Sequence, residues 1–212
     1  MPEPTSPTDP TDPTESDRTE AGPADVSEVP TEDPRPSDVH RAPSVVVLNT
    51  GDGKGKSSAA FGVMVRGVAR GWPVAVVQFV KSGKWKTGEE KIGREHGVHW
   101  LNVGDGFTWD SNDIDHDRDL ARQGWAEAAR LIASDEYRLV ILDEITYLCS
   151  WNWIDTAEVA AVIANRPEKV NIVLTGRDAP QGLIDVADTV TEMRNIKHAY
   201  DKGIDAMKGI EY

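Results

Sequence analysis

Thr50-Gly51-Asp52-Gly53-Lys54-Gly55-Lys56-Ser57-Ser58 combines residue types that can hold a polyphosphate. The glycines let the backbone curl until successive N–H groups converge on an anion. A helix starting at Lys56 adds its positive dipole end. In such a loop Lys56 reaches the phosphates and the Ser57 hydroxyl ligates Mg²⁺ or Mn²⁺. The standard P-loop begins with Gly where Thr50 stands, so the Gly-Lys-Ser ending carries the assignment. A second cluster, Leu139-Val140-Ile141-Leu142-Asp143-Glu144, places two carboxylates after four apolar residues. One acid at such a strand end supports Mg²⁺, directly or through water.

A dinucleotide-binding reading of the same glycines fails twice. Lys56 occupies the third glycine's place, and Gln78-Phe79-Val80-Lys81 lacks the acid that would hold a ribose.

These residues need a frame to bring them together. Ser44–Thr50, Val74–Val80, Val98–Val103, Leu139–Asp143 and Asn171–Thr175 are rich in β-branched residues and flanked by turn formers. Runs apolar on both faces suit strands buried in a parallel sheet. Helical stretches are expected over Lys56–Arg70, Glu89–His96, Asp113–Ser134, Asp155–Asn165 and Pro180–Val186. The alternation predicts a doubly wound α/β layer, and the phosphate loop makes the expected class an α/β, P-loop NTPase-like (RecA-like) three-layer fold with a mostly parallel central sheet. Ligands in such folds bind at the carboxyl ends of the strands.

Charge divides the 212 residues unevenly. Residues 1–44 hold 10 of the 13 prolines, with 11 acidic side chains and three basic ones. That stretch has too little apolar surface to offset chain entropy and is expected to be a disordered acidic tail, leaving 45–212 as the working domain. The net charge of −13 repels phosphate backbones and disfavours nucleic-acid binding. A single cysteine, Cys149, points to a reducing compartment. No signal peptide is apparent, and no apolar run approaches the roughly 20 residues that cross a bilayer. A cytoplasmic protein without membrane partners is expected.

Nucleotide triphosphate plus metal leaves the reaction open. Attack on the γ-phosphate would need a positioned base, for which Glu144 is available, and a cation such as Arg66 or Arg177. Gly104-Asp105-Gly106-Phe107-Thr108-Trp109, together with Gln78-Phe79-Val80-Lys81 and Trp85, instead suggests an aromatic rim suited to a large flat partner.

The combination resembles the P-loop ATP:corrinoid adenosyltransferases, which act on cob(I)yrinic acid a,c-diamide or cob(I)alamin. The matching segments are the loop at 50–57, Val77–Lys81, Gly106-Phe107-Thr108-Trp109, Leu142–Tyr147, Leu174-Thr175-Gly176-Arg177, Ala187–Met193, Lys197–Ile204 and the ending Lys208–Tyr212. They cover essentially all of 45–212 in order. The resemblance implies transfer of the 5′-deoxyadenosyl group of ATP to the Co(I) of a reduced corrinoid, with release of triphosphate. It implies that Gly51, Asp52, Gly53, Lys54, Gly55, Lys56, Ser57 and Ser58 cradle ATP. It places the metal on Ser57 and Glu144, with Asp143 behind them, and the corrinoid on Phe107 and Trp109. No side chain is then needed as nucleophile or base, and Lys56 stabilises charge. The resemblance also implies a reduced flavoprotein or similar electron donor and a homodimer. Relatives often carry a basic helical segment ahead of the first strand; here that region is acidic and proline-rich.

Asp113, Asp115, His116, Asp117 and Asp119 read as acids favouring a helix start rather than as a metal cluster. His96 and His99 straddle a turn and a strand start and are not read as metal ligands, and Cys149 reads as packing.

Overall fold

Six strands form one sheet in the order β3-β2-β4-β5-β1-β6, and every neighbouring pair is parallel. They are β1 (Val46–Thr50), β2 (Val74–Phe79), β3 (His99–Val103), β4 (Leu139–Asp143), β5 (Asn171–Thr175) and β6 (Thr189–Glu192). The helices are α1 (Lys56–Ala69), α2 (Gly88–Glu95), α3 (Ile114–Ala133), α4 (Ile145–Ser150), α5 (Thr156–Ala164) and α6 (Gln181–Val186). A 3₁₀ turn, Ala199–Lys202, follows. The computed structural model describes residues 38–80, 87–104 and 114–211. Arg41–Tyr212 forms one compact unit; of the separate unit Met1–His40, only Asp38–His40 are described.

Period-two alternation in the central strands divides the core. Leu139 and Ile141 of β4 point to one face with Val74 and Val76 of β2. Val140 and Leu142 point to the other with Ala75, Val77 and Phe79. The first face is covered by Ala60, Phe61 and Met64 of α1. The second is covered by Trp125, Leu131 and Ile132 of α3, Leu148 of α4, Val159 and Ile163 of α5, and Leu183 of α6. Both faces are therefore dry, which is why these strands read as continuous apolar runs. Each fully buried Leu, Ile or Phe contributes about 1.5–3 kcal/mol by leaving water. The result is the three-layer α/β fold expected from the sequence.

Two elements were not anticipated from periodicity, α4 and β6. All four residues of β6 are exposed, so it carries no apolar signature. The second strand also ends one residue early, because Val80 turns away with φ 63°. Phe79 is wholly buried in the core, which corrects its expected place on an aromatic rim.

The sheet ends share one local device. The residue after each of β1 to β5 has a positive φ: Gly51 at 93°, Val80 at 63°, Gly104 at 131°, Glu144 at 64° and Gly176 at 138°. Five strands thus break at one level and open a common edge where loops can converge.

Candidate functional site

The loop between β1 and α1 is held from below and from the side. Lys56 turns back so that its Nζ donates to the Gly51 carbonyl at 2.8 Å and to the Gly53 carbonyl at 2.7 Å. The Gly53 amide donates to the Met193 carbonyl at 2.6 Å, and the Met193 amide donates to the Thr50 carbonyl at 2.8 Å. The chain leaving β6 therefore braces the loop. The fit is tight: a Cβ on Gly53 would meet the Arg194 carbonyl carbon and oxygen at 2.7 Å. Helix α1 starts from Gly55, at φ 112°, with no side chain capping it and no acid in its first turn. Its first amides stay available to an anion.

The second half of the site stands across a cleft of about 840 Å³. Asp143 ends β4 wholly buried. Its Oδ1 accepts from Thr175 Oγ1 at 2.7 Å and its Oδ2 from Gln78 Nε2 at 2.8 Å. Strand register makes this possible, since Gln78 lies directly opposite Asp143. Thr175 Oγ1 in turn accepts from the Glu144 amide at 2.9 Å. That bond fixes Glu144 in a left-handed conformation, which costs a non-glycine residue on the order of 1–3 kcal/mol. Glu144 thereby lines the cleft with Lys56 and Ser57. Thr146 Oγ1 donates to the Arg177 carbonyl at 2.6 Å and so positions the turn that brings Arg177 to the same cleft.

Electrostatics follow from this crowding. Burial pulls the Lys56 ammonium below its ordinary pKa; Glu144, Asp52 and Asp143 oppose that fall, and Arg177 adds to it. Burial likewise raises the Tyr147 phenol, helped by Glu144. The cleft thus gathers a lysine, an arginine, a hydroxyl and a carboxylate around an amide-rich turn. Glu144 and Ser57 supply hard oxygen donors of the kind Mg²⁺ takes, whereas both Asp143 oxygens are engaged by neighbouring side chains.

Asp52, Gly53, Lys54, Gly55, Lys56, Ser57, Ser58 and Glu144 all line this cleft, and Gly51 contributes a carbonyl beneath it. Phe107, Trp109, Lys81 and Trp85 lie outside the described residues. Of the two arginines considered, Arg177 reaches the cleft, while Arg66 is exposed on α1 and does not line it. Asp115 pairs with Arg118 on the surface of α3. Cys149 is buried, its thiol pushed up to about 11 by desolvation. Sequence reasoning passed over Gln78 as a partner of Asp143, and Tyr147 and Trp151 as cleft residues. It also missed His198, Tyr200 and Glu211, which line the cleft from the C-terminal segment. His198 Nδ1 accepts from the Tyr200 amide at 3.0 Å, and Lys54 pairs with Glu211.

A parallel sheet with a glycine-lysine-serine turn after its first strand and paired acids at the end of β4 defines a P-loop nucleotide-binding protein. A model of the ATP:corrinoid adenosyltransferase family BtuR/CobO/CobP matches residues 43–212. The chain belongs to that family. A corrinoid adenosyltransferase of Escherichia coli K12 is 39% identical over 168 residues, covering 79% of this chain and 85% of that one. One from Pseudomonas aeruginosa is 42% identical, covering 79% and 83% respectively. One from Salmonella typhimurium is 36% identical, covering 85% and 91%. Among solved structures, a KaiC-like protein of Pyrococcus horikoshii OT3 has TM-score 0.48 and 15% identity, covering 74% of this chain and 75% of that one. The chain is accordingly a transferase that uses ATP and a corrinoid. Among the described residues, no helix is long and apolar enough to cross a membrane.

Proposed function

We propose that the protein transfers the 5′-deoxyadenosyl group of ATP to the Co(I) centre of a reduced corrinoid and releases triphosphate. The observation that carries this reading is the cleft of about 840 Å³ that the braced loop, Lys56, Arg177 and Glu144 line together. The cobalt electron pair forms the Co–C5′ bond while the C5′–O bond breaks. Its electrons leave with the triphosphate, and cobalt becomes formally Co(III). Co(I) is a strong nucleophile, so the chain need only orient C5′ and stabilise the charge growing on the leaving group.

In this reading Gly51 to Ser58 hold the triphosphate, and Lys56 and Arg177 balance its charge. Ser57 and Glu144 would hold Mg²⁺ or Mn²⁺, with Asp143 anchoring the strand end behind them. The metal would supply further charge neutralisation on the phosphates. Phe107 and Trp109 are assigned to the corrinoid by family likeness. A reduced flavoprotein or similar donor would deliver the electron that takes Co(II) to Co(I). A homodimer in the cytoplasm, acting in adenosylcobalamin synthesis or salvage, completes the reading. The acceptor is cobyrinic acid a,c-diamide, cobinamide or cobalamin.

Product analysis tests it. With ATP and chemically reduced cob(I)alamin, triphosphate and adenosylcobalamin should form in equal amounts, and neither should form without corrinoid. ADP and phosphate released without corrinoid would instead favour a P-loop NTPase or kinase. Tight corrinoid binding without ATP cleavage would favour a nucleotide-gated carrier.

A further inference from the structure

The cleft lining is chemically mixed: it includes the charged Lys56, Glu144 and Arg177 and also the apolar or aromatic Val80, Tyr147 and Trp151. Tyr147 and Trp151 lie one helical turn apart on α4 and at its end, and their rings stack at 4.9 Å with 23° between planes. Trp151 also meets Trp153 at 5.0 Å and 58°. Trp153 is buried and shares a small cavity with Val103 and Gly104 at the end of β3, so the aromatic row runs from the cleft toward the sheet edge.

We propose that Trp151, backed by Tyr147 and Trp153, is a corrinoid-contacting residue that seats the macrocycle over the phosphate cleft. This rests on the adenosyl-transfer reading above. A stacked adenine is the competing occupant, but Trp151 already has a stacking partner in Tyr147 and a tilted one in Trp153. What it still offers, at 36% exposure, is a rigid apolar ledge. A corrin is a largely reduced ring whose rim carries methyl groups and amide arms, and it packs by van der Waals contact rather than by ring stacking. A ledge held on two sides gives such a rim a fixed stop at little entropic cost.

The test compares wild type with Trp151→Ala and Trp151→Phe in steady-state turnover of ATP and cob(I)alamin. Trp151→Ala should raise the corrinoid KM about tenfold and leave the ATP KM within about twofold; Trp151→Phe should restore most of the loss. An unchanged corrinoid KM, or a rise in the ATP KM of equal size, overturns the assignment. Oxidative footprinting of the wild type reads the same contact without a variant. Cob(II)alamin with ATP should shield Trp151, and ATP alone should not; shielding by ATP alone, or none, overturns it. Failure of the adenosyl-transfer reading would appear in the wild type itself, whereas failure of this inference appears in the variant comparison and the footprint.

Discussion

Gly53 hydrogen-bonds through its amide to the carbonyl of Met193 at 2.6 Å, joining the phosphate loop to the chain that leaves the sheet's edge strand. The two residues are far apart in sequence yet share one structural job. The loop's shape depends on β6 being docked against β1, and β6 has no apolar face of its own to dock with.

Gly53→Ala should therefore damage the loop more than the fold. Its Cβ would press on the Arg194 backbone at 2.7 Å, which must move. ATP affinity should fall at least about tenfold by calorimetry, and the melting temperature should drop by only a few degrees. An unaltered ATP affinity would contradict the bracing role.

The two acids at the end of β4 should separate into distinct phenotypes. Asp143→Asn sets an amide among the Gln78 and Thr175 donors and should cost about 1–3 kcal/mol of stability, read from urea unfolding. Glu144→Gln keeps the backbone bond to Thr175 and should unfold nearly as the wild type does. Its turnover should need more Mg²⁺.

Lys56 couples function to alkaline stability. Burial lowers its pKa from 10.5 in the ligand-free chain. Between that lowered value and 10.5 the unfolded chain holds more protons on this group, so its contribution to stability rises with pH there. Lys56→Met should remove that slope from a plot of urea midpoint against pH. It should also cut turnover by about 10²–10³-fold. A slope identical to wild type would refute the assignment.

Cys149 works in the opposite sense. An unfolded thiol ionises near 9.0, whereas the folded one is pushed up to about 11 by burial. Stability from this group is complete below 9 and is lost as pH rises toward 11, on the order of 2–3 kcal/mol in all. At pH 8 the native thiol should react with a disulfide reagent about a hundredfold more slowly than the unfolded one. Cys149→Ala should flatten the alkaline decline.

Trp109→Ala should slow turnover that starts from Co(II) with a reductant more than turnover of pre-reduced Co(I). Equal losses in the two assays would show that Trp109 contacts the corrinoid without favouring its reduction.

The strands of the central sheet were readable because their apolar runs are buried on both faces, as Val140-Ile141-Leu142 illustrates. The loop was readable because Gly55-Lys56-Ser57 carries its chemistry in consecutive residues. The bond between Gln78 and Asp143 was not, since it arises from strands that become neighbours only through the order β2-β4. Helix α4 was hidden because it begins directly beyond Glu144, after a single left-handed residue. Tyr147 and Trp151 acquire their relation only from that turn. Phe79 was misplaced because its run gave no sign of where the strand stopped; the left-handed Val80 supplies that boundary.

The pairing of Lys54 with Glu211 has a practical corollary. Glu211 also lines the substrate cleft, so the phosphate loop and the C-terminal segment share one wall. Truncation ahead of Glu211 will therefore weaken nucleotide binding although it removes no residue of the loop itself.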